Sequence, residues 1–108
     1  MTGRGSSATV GPVSTEVALE LLKDAGLSGY EAKAYVALLG STVPMNGYEV
    51  AKVSGVPRST VYETLSKLVA RGAAFEVKDD ASAVSYVPLA ADALIGRLRR
   101  QTHDTIKG

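Results

Sequence analysis

A glycine and a proline lie two residues apart, at Gly55 and Pro57, between two segments whose apolar residues recur at helical spacing. In the first segment Ala51 is small enough for two helices to cross closely, and Gly55 suits the positive φ that a tight turn between helices needs. Val61, in the second segment, is placed to pack back against the first. A small residue, a glycine and an apolar residue at these offsets predict two short helices joined by a sharp turn.

The sequence before this pair predicts two longer helices. The first, STEVALELLKDAG from Ser14, carries one apolar face with a further leucine beside it, made up of Val17, Leu21, Ala25 and Leu22. Ser28 and Glu31 then have the spacing of a capping box, in which each side chain bonds the backbone N–H of the other residue. This second helix has the stripe Ala32, Tyr35, Val36 and Leu39, and Gly40 ends it. Asn46 and Glu49 repeat the capping spacing at the start of the short third helix.

After Gly72 the pattern changes from helical to alternating. The segments AAFEVK and AVSYVP are rich in Val, Phe and Tyr and are joined by the polar DDAS, which predicts a β-hairpin. A last helix follows with a narrow apolar seam of Ala91, Leu94, Leu98 and Thr105, flanked by Ile95, Thr102 and Ile106. The predicted fold is therefore mainly α with a small hairpin, a winged helix-turn-helix over residues 14–88. A flexible tail over residues 1–13 precedes it, and a C-terminal helix over residues 89–108 follows it.

Composition narrows the functional classes. The 108 residues are 45% hydrophobic and 21% charged, which is typical of one globular domain, and the absence of cysteine excludes disulfides and cysteine-based zinc sites. No apolar run approaches the roughly 18 residues of a membrane span and no secretory signal is present, so we expect a cytoplasmic protein. His103, next to Asp104, has no nucleophile or metal partner in sequence. We therefore expect no enzyme, no cofactor and no metal site.

The net charge of +1 gives no general electrostatic case for nucleic acid, so such a function must rest on local pattern. If Val61, Leu65 and Leu68 face the core, helical geometry turns Ser59, Glu63, Ser66 and Ala70 outward, with Thr60 and Lys67 on the flank. Short residues on that face let a helix backbone approach bases in a major groove, and Arg58 can pair with guanine O6 and N7 or with phosphate. The candidate DNA contacts are Arg58, Ser59, Thr60, Glu63, Lys67, Asn46 and Lys52.

Several of these candidate DNA contacts also have a purely structural interpretation. Ser and Thr in a first turn often serve capping alone, and Arg58 could be an ordinary surface arginine. Glu63 and Lys67 have the spacing of a surface ion pair, although Glu63 could also accept from a cytosine amine. Tyr62 suits packing better than stacking. Residues 46–88 carry five basic and five acidic residues, which leaves open a winged helix used for protein contact or assembly.

The segment GLSGYEAKAYVALLG followed by VAKVSGVPRSTVYETLSKLVARG resembles the N-terminal DNA-binding domain of the TrmB family of transcriptional regulators, over roughly residues 26–88. The resemblance implies a winged-helix fold, usually dimeric, that binds operator DNA in a prokaryotic cytoplasm. By position it places the recognition helix at Pro57 to Arg71 and its leading contacts at Arg58, Ser59 and Thr60. Many members continue into a sugar-binding domain, for which this sequence offers no ligand site.

Two further expectations concern the wing and the assembly. The wing tip reads KDDAS where family members are often more basic, and because phosphate would repel its two aspartates we do not expect it to insert into a minor groove. The first and last helices have seams without an obvious partner, so we expect a homodimer through them. A two-fold would set the recognition helices about 34 Å apart and predicts a pseudo-palindromic site. The basic residues of the last helix are interpreted as a solvated face.

Overall fold

The computed structural model describes the backbone of residues 15–107 and the side chains of residues 15–100. Its elements in chain order are α1 (Thr15–Asp24), α2 (Gly29–Leu39), α3 (Gly47–Ser54), α4 (Arg58–Ala70), β1 (Ala74–Lys78), β2 (Val84–Pro88) and α5 (Ala91–Lys107). This is the predicted winged helix-turn-helix, with α3 and α4 as the helix pair and the hairpin as the wing. The tail predicted over residues 1–13 lies outside the described residues.

Both predicted capping boxes are present. The Ser28 hydroxyl accepts the N–H of Glu31 at 3.1 Å, and the Glu31 carboxylate accepts the N–H of Ser28 at 2.8 Å. Asn46 and Glu49 exchange the same two bonds at 2.8 and 2.9 Å. Gly55 ends α3 with φ of 82°, a left-handed conformation that favours glycine. The turn between α3 and α4 is therefore set by local chemistry.

Helix α2 lies at the centre of the domain, where it packs against α1, α3, α4 and β2. The largest fully buried side chains are Tyr35, Leu38, Leu65, Leu68, Leu94, Val50, Val56 and Val61. Burying one such aliphatic side chain contributes about 1.5–3 kcal/mol, so this cluster holds the helices together. Because α4 supplies three of its members, the orientation of α4 is determined by the core.

The hairpin joins the helices through backbone bonds. β1 and β2 pair antiparallel, with Ala74 opposite Pro88 and Lys78 opposite Val84. Met45, just before α3, exchanges two backbone hydrogen bonds with Tyr86 of β2, at 3.2 and 2.8 Å. The wing is therefore tied to the segment that leads into the helix-turn-helix.

The apolar face of α1 is rotated from its predicted position, whereas the predicted stripe of α2 is confirmed except at its last residue. Leu22 is the buried residue of α1, whereas Val17 and Leu21 are 50% and 53% exposed. In α2 the last residue of the predicted stripe, Leu39, is 41% exposed and its neighbour Leu38 is buried. The reason in α1 is that this helix packs against α2 on one side, and that side carries Leu22 with the partly buried Leu19.

The expectation that the seam of the last helix lacks a partner is wrong for its two leucines. Leu94 and Leu98 of α5 are 0% and 2% exposed and belong to the core of the same chain. The first part of α5 therefore packs on the winged domain itself. Within residues 15–107, no helix is both long and apolar enough to cross a membrane.

Candidate nucleic-acid interface

The inner face of α4 is buried as predicted. Val61, Leu65 and Leu68 are each 0% exposed. Thr64, on the same side, is also buried, and its hydroxyl donates to the Thr60 carbonyl at 3.1 Å. Because this donation satisfies the hydroxyl inside the helix, burying Thr64 leaves no unpaired donor. The sequence pattern did not indicate this fourth buried position.

The outer face of α4 carries the short side chains that the helical projection places there. Ser59, Glu63, Ser66 and Ala70 are exposed, and Thr60 is half-buried on the flank. Three of these four exposed residues are small, so a partner surface can come close to the helix backbone. That property is what a helix needs to lie in a major groove.

The first turn of α4 is open at its tip. Pro57 precedes the helix and provides no side-chain cap, and the first turn has no acidic residue. The Pro57 carbonyl accepts the N–H groups of Thr60 and Val61, both at 2.9 Å. The N–H groups of Arg58 and Ser59 come too early in the helix for such a bond, so they point outward at the positive end of the helix dipole. This end is suited to an anion.

Arg58, the first residue of α4, lies over an aromatic ring of α3. Its guanidinium carbon lies 4.7 Å from the centroid of the Tyr48 ring, within the range of a cation–π interaction. Tyr48 is 47% exposed, so the pair lies at the surface. No local sequence pattern indicates Tyr48 as a partner of Arg58, because the two residues meet only when the Gly55 turn folds α3 against α4.

The remaining candidate contacts have defined partners or open positions. Lys67 and Glu63 form the predicted ion pair at 3.7 Å, with both side chains more than half exposed. Asn46 is occupied by the cap of α3, since its amide oxygen accepts from Glu49. Lys52 is exposed in the last turn of α3. Arg58, Ser59 and Thr60 are therefore brought together at one tip, while Asn46 and Lys52 lie at opposite ends of α3.

Tyr62 packs on the start of α3. It is 57% exposed, yet its ring lies where a side chain at Gly47 would otherwise be, because a Cβ added to Gly47 would collide with the ring. The interpretation of Tyr62 as a packing residue is therefore correct. The contact also brings the first turn of α3 close to α4.

The far end of α4 is held by an ion pair that the sequence did not reveal. Arg71, which caps α4, places Nη2 3.2 Å from Oε1 of Glu31, whose side chain is 4% exposed. The same carboxylate oxygen accepts the N–H of Ser28 in the cap of α2. One glutamate thus connects the start of α2 to the end of α4. Arg71 is consequently used inside the domain and is not part of the outer face.

The tip of the wing uses its own backbone donors. Asp79 Oδ1 accepts the N–H groups of Ala81 and Ala83, both at 2.9 Å, and Ser82 adopts a φ of 67°. Asp80 is exposed beside it. The sequence indicated two negative charges here, and the structure adds that one of them organises the turn.

Two buried tyrosines support the wing. Tyr35 donates from its hydroxyl to the carbonyl of Leu89, just after β2. Burial, with a smaller contribution from the negative charge of Asp92, raises the pKa of Tyr35 to about 12. Burial also raises the pKa of Tyr86, with Glu76 and Tyr62 adding to the effect. Among side chains 15–100, no group of three or more acidic, His or Cys residues is placed to hold a metal.

A family model described as sugar-specific transcriptional regulator TrmB matches residues 22–91 of the chain. The chain belongs to the TrmB family. It is 46% identical over 87 residues to the uncharacterized protein YrhO of Bacillus subtilis (strain 168), covering 79% of this chain and 30% of YrhO. It is 39% identical over 57 residues to TrmBL1 of Pyrococcus furiosus, an HTH-type sugar sensing transcriptional regulator, covering 53% of this chain and 16% of TrmBL1. The chain thus spans less than a third of either TrmB relative's length.

A solved TrmB-type structure has the same fold. TrmBL2, described as an archaeal chromatin protein with a novel mode of DNA binding, superposes with a TM-score of 0.77 at 28% sequence identity. The match covers 87% of this chain and 36% of that one. Family and fold together point to a DNA-binding regulator rather than an enzyme.

Proposed function

We propose that this chain is the DNA-binding part of a TrmB-type transcription regulator, and that the tip of α4 enters the major groove of an operator. The observation that carries the proposal is the contrast between the two sides of α4. Its inner stripe is 0% exposed, while its arginine-led first turn is exposed and has no side-chain cap. A helix anchored in this way presents its N-terminal residues to a groove.

Each candidate contact has a role in this arrangement. Arg58 leads the tip, and Ser59 and Thr60 follow it toward base edges or phosphate. Lys67 lies about two turns further along the helix. It can approach a phosphate once its weak ion pair with Glu63 is broken. In a helix-turn-helix the first helix crosses the DNA backbone, so Asn46 and Lys52 of α3 would contact phosphates. The wing tip, with Asp79 and Asp80, would stay away from the minor groove.

The operator is proposed to be pseudo-palindromic and bound by a homodimer. Support comes from α1, where Leu21 remains 53% exposed in the single chain. Leu94 and Leu98 are already covered by their own domain, so α1 and the exposed side of α5 would form the pairing surface. Sedimentation of the 108-residue chain at micromolar concentration is expected to give a dimer mass. A monomer at that concentration would contradict this part of the proposal.

A second function has an observation in its favour. The segment from 46 to 88 is neutral overall, and β1 exposes two apolar side chains, Phe75 at 48% and Val77 at 41%. Such a surface is compatible with a winged helix that contacts protein and does not bind DNA specifically. We rank it second because it leaves the open tip of α4 without a use.

A mobility-shift measurement separates the two functions. The wild-type chain is tested on the DNA upstream of its own gene and on random DNA, together with Arg58→Ala, Lys67→Ala and the control Lys33→Ala, an exposed lysine on α2. We expect Arg58→Ala to cost about 1–3 kcal/mol of specific binding, and Lys67→Ala to weaken both DNAs alike. The control should bind like wild type. If Arg58→Ala and Lys67→Ala also bind like wild type, the assigned face is wrong.

A further inference from the structure

Arg58, Arg71 and Arg97 are held in three different ways. Arg71 is paired with Glu31, and the guanidinium of Arg97 lies where a side chain at Gly72 would be. Arg58 instead lies over the ring of Tyr48 and, within residues 15–100, takes part in no ion pair. Arg58 is therefore an exposed cation that lies beside Tyr48 and, within residues 15–100, has no acidic partner.

Stacking leaves the useful edge of a guanidinium free. When such a group lies parallel to the ring, its N–H donors lie in its own plane and point away from the ring's face. A guanidinium held in this way keeps its fork of donors available for a second partner. Because the ring also restricts the long side chain, less conformational entropy is lost when that partner binds.

The backbone that carries Tyr48 is itself well fixed. Asn46 and Glu49 close the first turn of α3 from both sides, with bonds of 2.8 and 2.9 Å. Between them, Gly47 lies under the ring of Tyr62, which comes from α4. The start of α3 is thus held against the helix that carries Arg58, so the backbone from which the Tyr48 ring projects is fixed relative to Arg58.

We propose that Tyr48 is a positioning residue that holds the Arg58 guanidinium for paired hydrogen bonds to O6 and N7 of a guanine in the major groove. The inference rests on the proposed function and adds to it the base that is read. A contact with phosphate needs only a positive charge nearby and tolerates many orientations. A paired contact with guanine needs the plane of the guanidinium to be set, and an adjacent aromatic ring restricts the orientations that the guanidinium can take.

The experiment begins with a selection of bound oligonucleotides from a random pool by the wild-type 108-residue chain. The selected site is then synthesised with 7-deazaguanine, which lacks the N7 acceptor, at one guanine at a time. Wild type, Tyr48→Leu, Tyr48→Phe and Arg58→Lys are compared on these DNAs. Tyr30→Leu is the matched control, since Tyr30 is an exposed tyrosine on α2. Thermal melts of each variant verify that the fold is intact.

We expect wild type and Tyr30→Leu to lose about 10-fold in affinity at one guanine per half-site when N7 is removed. Tyr48→Phe keeps the ring and should keep this sensitivity. Tyr48→Leu and Arg58→Lys should bind the unmodified site more weakly and show less than 3-fold sensitivity to the same replacement. A merely structural role for Tyr48 would lower affinity for all DNAs without changing the response to 7-deazaguanine.

The failure of this inference differs from the failure of the proposed function. If wild type selects a defined site but Tyr48→Leu responds to 7-deazaguanine as wild type does, the positioning role is wrong and the operator proposal stands. A selected site without a sensitive guanine overturns the inference in the same way. If the wild-type chain selects no site, both proposals fall.

Discussion

The tip of α4 and the turn of the wing are both short polar segments at the surface, and both are places where a winged helix can meet DNA. The two segments differ in whether their backbone N–H groups are hydrogen-bonded. At the α4 tip, Pro57 supplies no side-chain cap, so the first N–H groups point outward beside a cationic side chain. In the wing turn, Asp79 accepts two N–H groups and Asp80 adds a second negative charge.

This difference indicates which of the two segments can bind an anion. A phosphate approaching α4 meets unpaired donors, the positive end of a helix and Arg58. A phosphate approaching the wing meets two carboxylates and donors that are already bonded. The contrast depends on the core as well, because the tip is presented only while the opposite side of α4 stays buried.

The largest expected effect comes from removing that support. Leu65→Ala should lower the free energy of unfolding by about 2–5 kcal/mol, because it leaves a cavity beneath α4. Leu39→Ala is the matched control at a position 41% exposed and should cost about 0.5 kcal/mol or less. Urea denaturation of both variants measures the difference. Equal losses would show that α4 is not anchored through this face.

The link between the wing and α2 is expected to weaken at high pH. The folded pKa of Tyr35 is raised to about 12 from an ordinary value of 10.0, so its stabilising effect is complete below pH 10. It is lost as pH rises toward 12, by roughly 2 kcal/mol in total. Melting temperatures from pH 9 to 12 should fall, and Tyr35→Phe should fall less steeply. Parallel curves for the two proteins would contradict the role of the hydroxyl.

The ion pair at the C-terminal end of α4 can be removed by mutation without altering the N-terminal tip of the helix. Glu31→Gln should cost about 1–3 kcal/mol of stability, because Arg71 loses the charge it pairs with in a largely buried position. Glu63→Gln, which alters the exposed pair with Lys67, should cost only about 0.3–0.5 kcal/mol. Chemical denaturation at low salt compares the two. A similar small effect for both would mean that the Glu31 pair is effectively solvated.

Mutation of Asp79 in the wing turn should lower the stability of the protein and leave its DNA affinity unchanged. Asp79→Ala removes an acceptor of two backbone N–H groups and should cost about 1 kcal/mol in unfolding free energy. Asp80→Ala, next to it, should leave stability unchanged because Asp80 is exposed. Neither variant should lose affinity for a selected DNA site. A loss of binding with intact folding would place the wing on the DNA.

The smallest expected effect is a test of charge at the wing. Asp80→Lys changes the local charge by two, and it should raise DNA affinity by no more than about 0.5 kcal/mol at physiological salt if the turn lies beyond about one screening length from phosphate. Titrations at two salt concentrations measure it. A tenfold gain that disappears at high salt would show that the wing lies against the backbone.

Local signals in the sequence were enough for most of the fold. Ser28 with Glu31, Asn46 with Glu49 and the glycine at position 55 act within four residues, so their spacing alone predicted the helix starts and the turn. The inner stripe of α4 was predicted for the same reason, since helical periodicity determines which residues share a face. The family resemblance then supplied the expectation of a winged helix that binds DNA.

The interactions that sequence reasoning missed join distant residues. Glu31 and Arg71 are separated by 40 positions, and nothing in either local pattern connects them. Tyr48 reaches Arg58 only across the turn between two helices, and Leu94 and Leu98 find their partners only when the whole core has formed. The buried face of α1 was predicted wrongly, because an amphipathic pattern does not indicate which side of a helix packs against a neighbouring helix.

One measurement tests the central contrast directly. The chain contains no cysteine, so Ser66→Cys on the outer face of α4 and Asp80→Cys on the wing each introduce one attachment point for a chelated iron that cleaves nearby DNA. On a selected site, the Ser66 probe is predicted to cleave a few adjacent nucleotides within each half-site, and the Asp80 probe to cleave weakly or not at all. Strong, localised cleavage from the wing together with none from α4 would contradict the account.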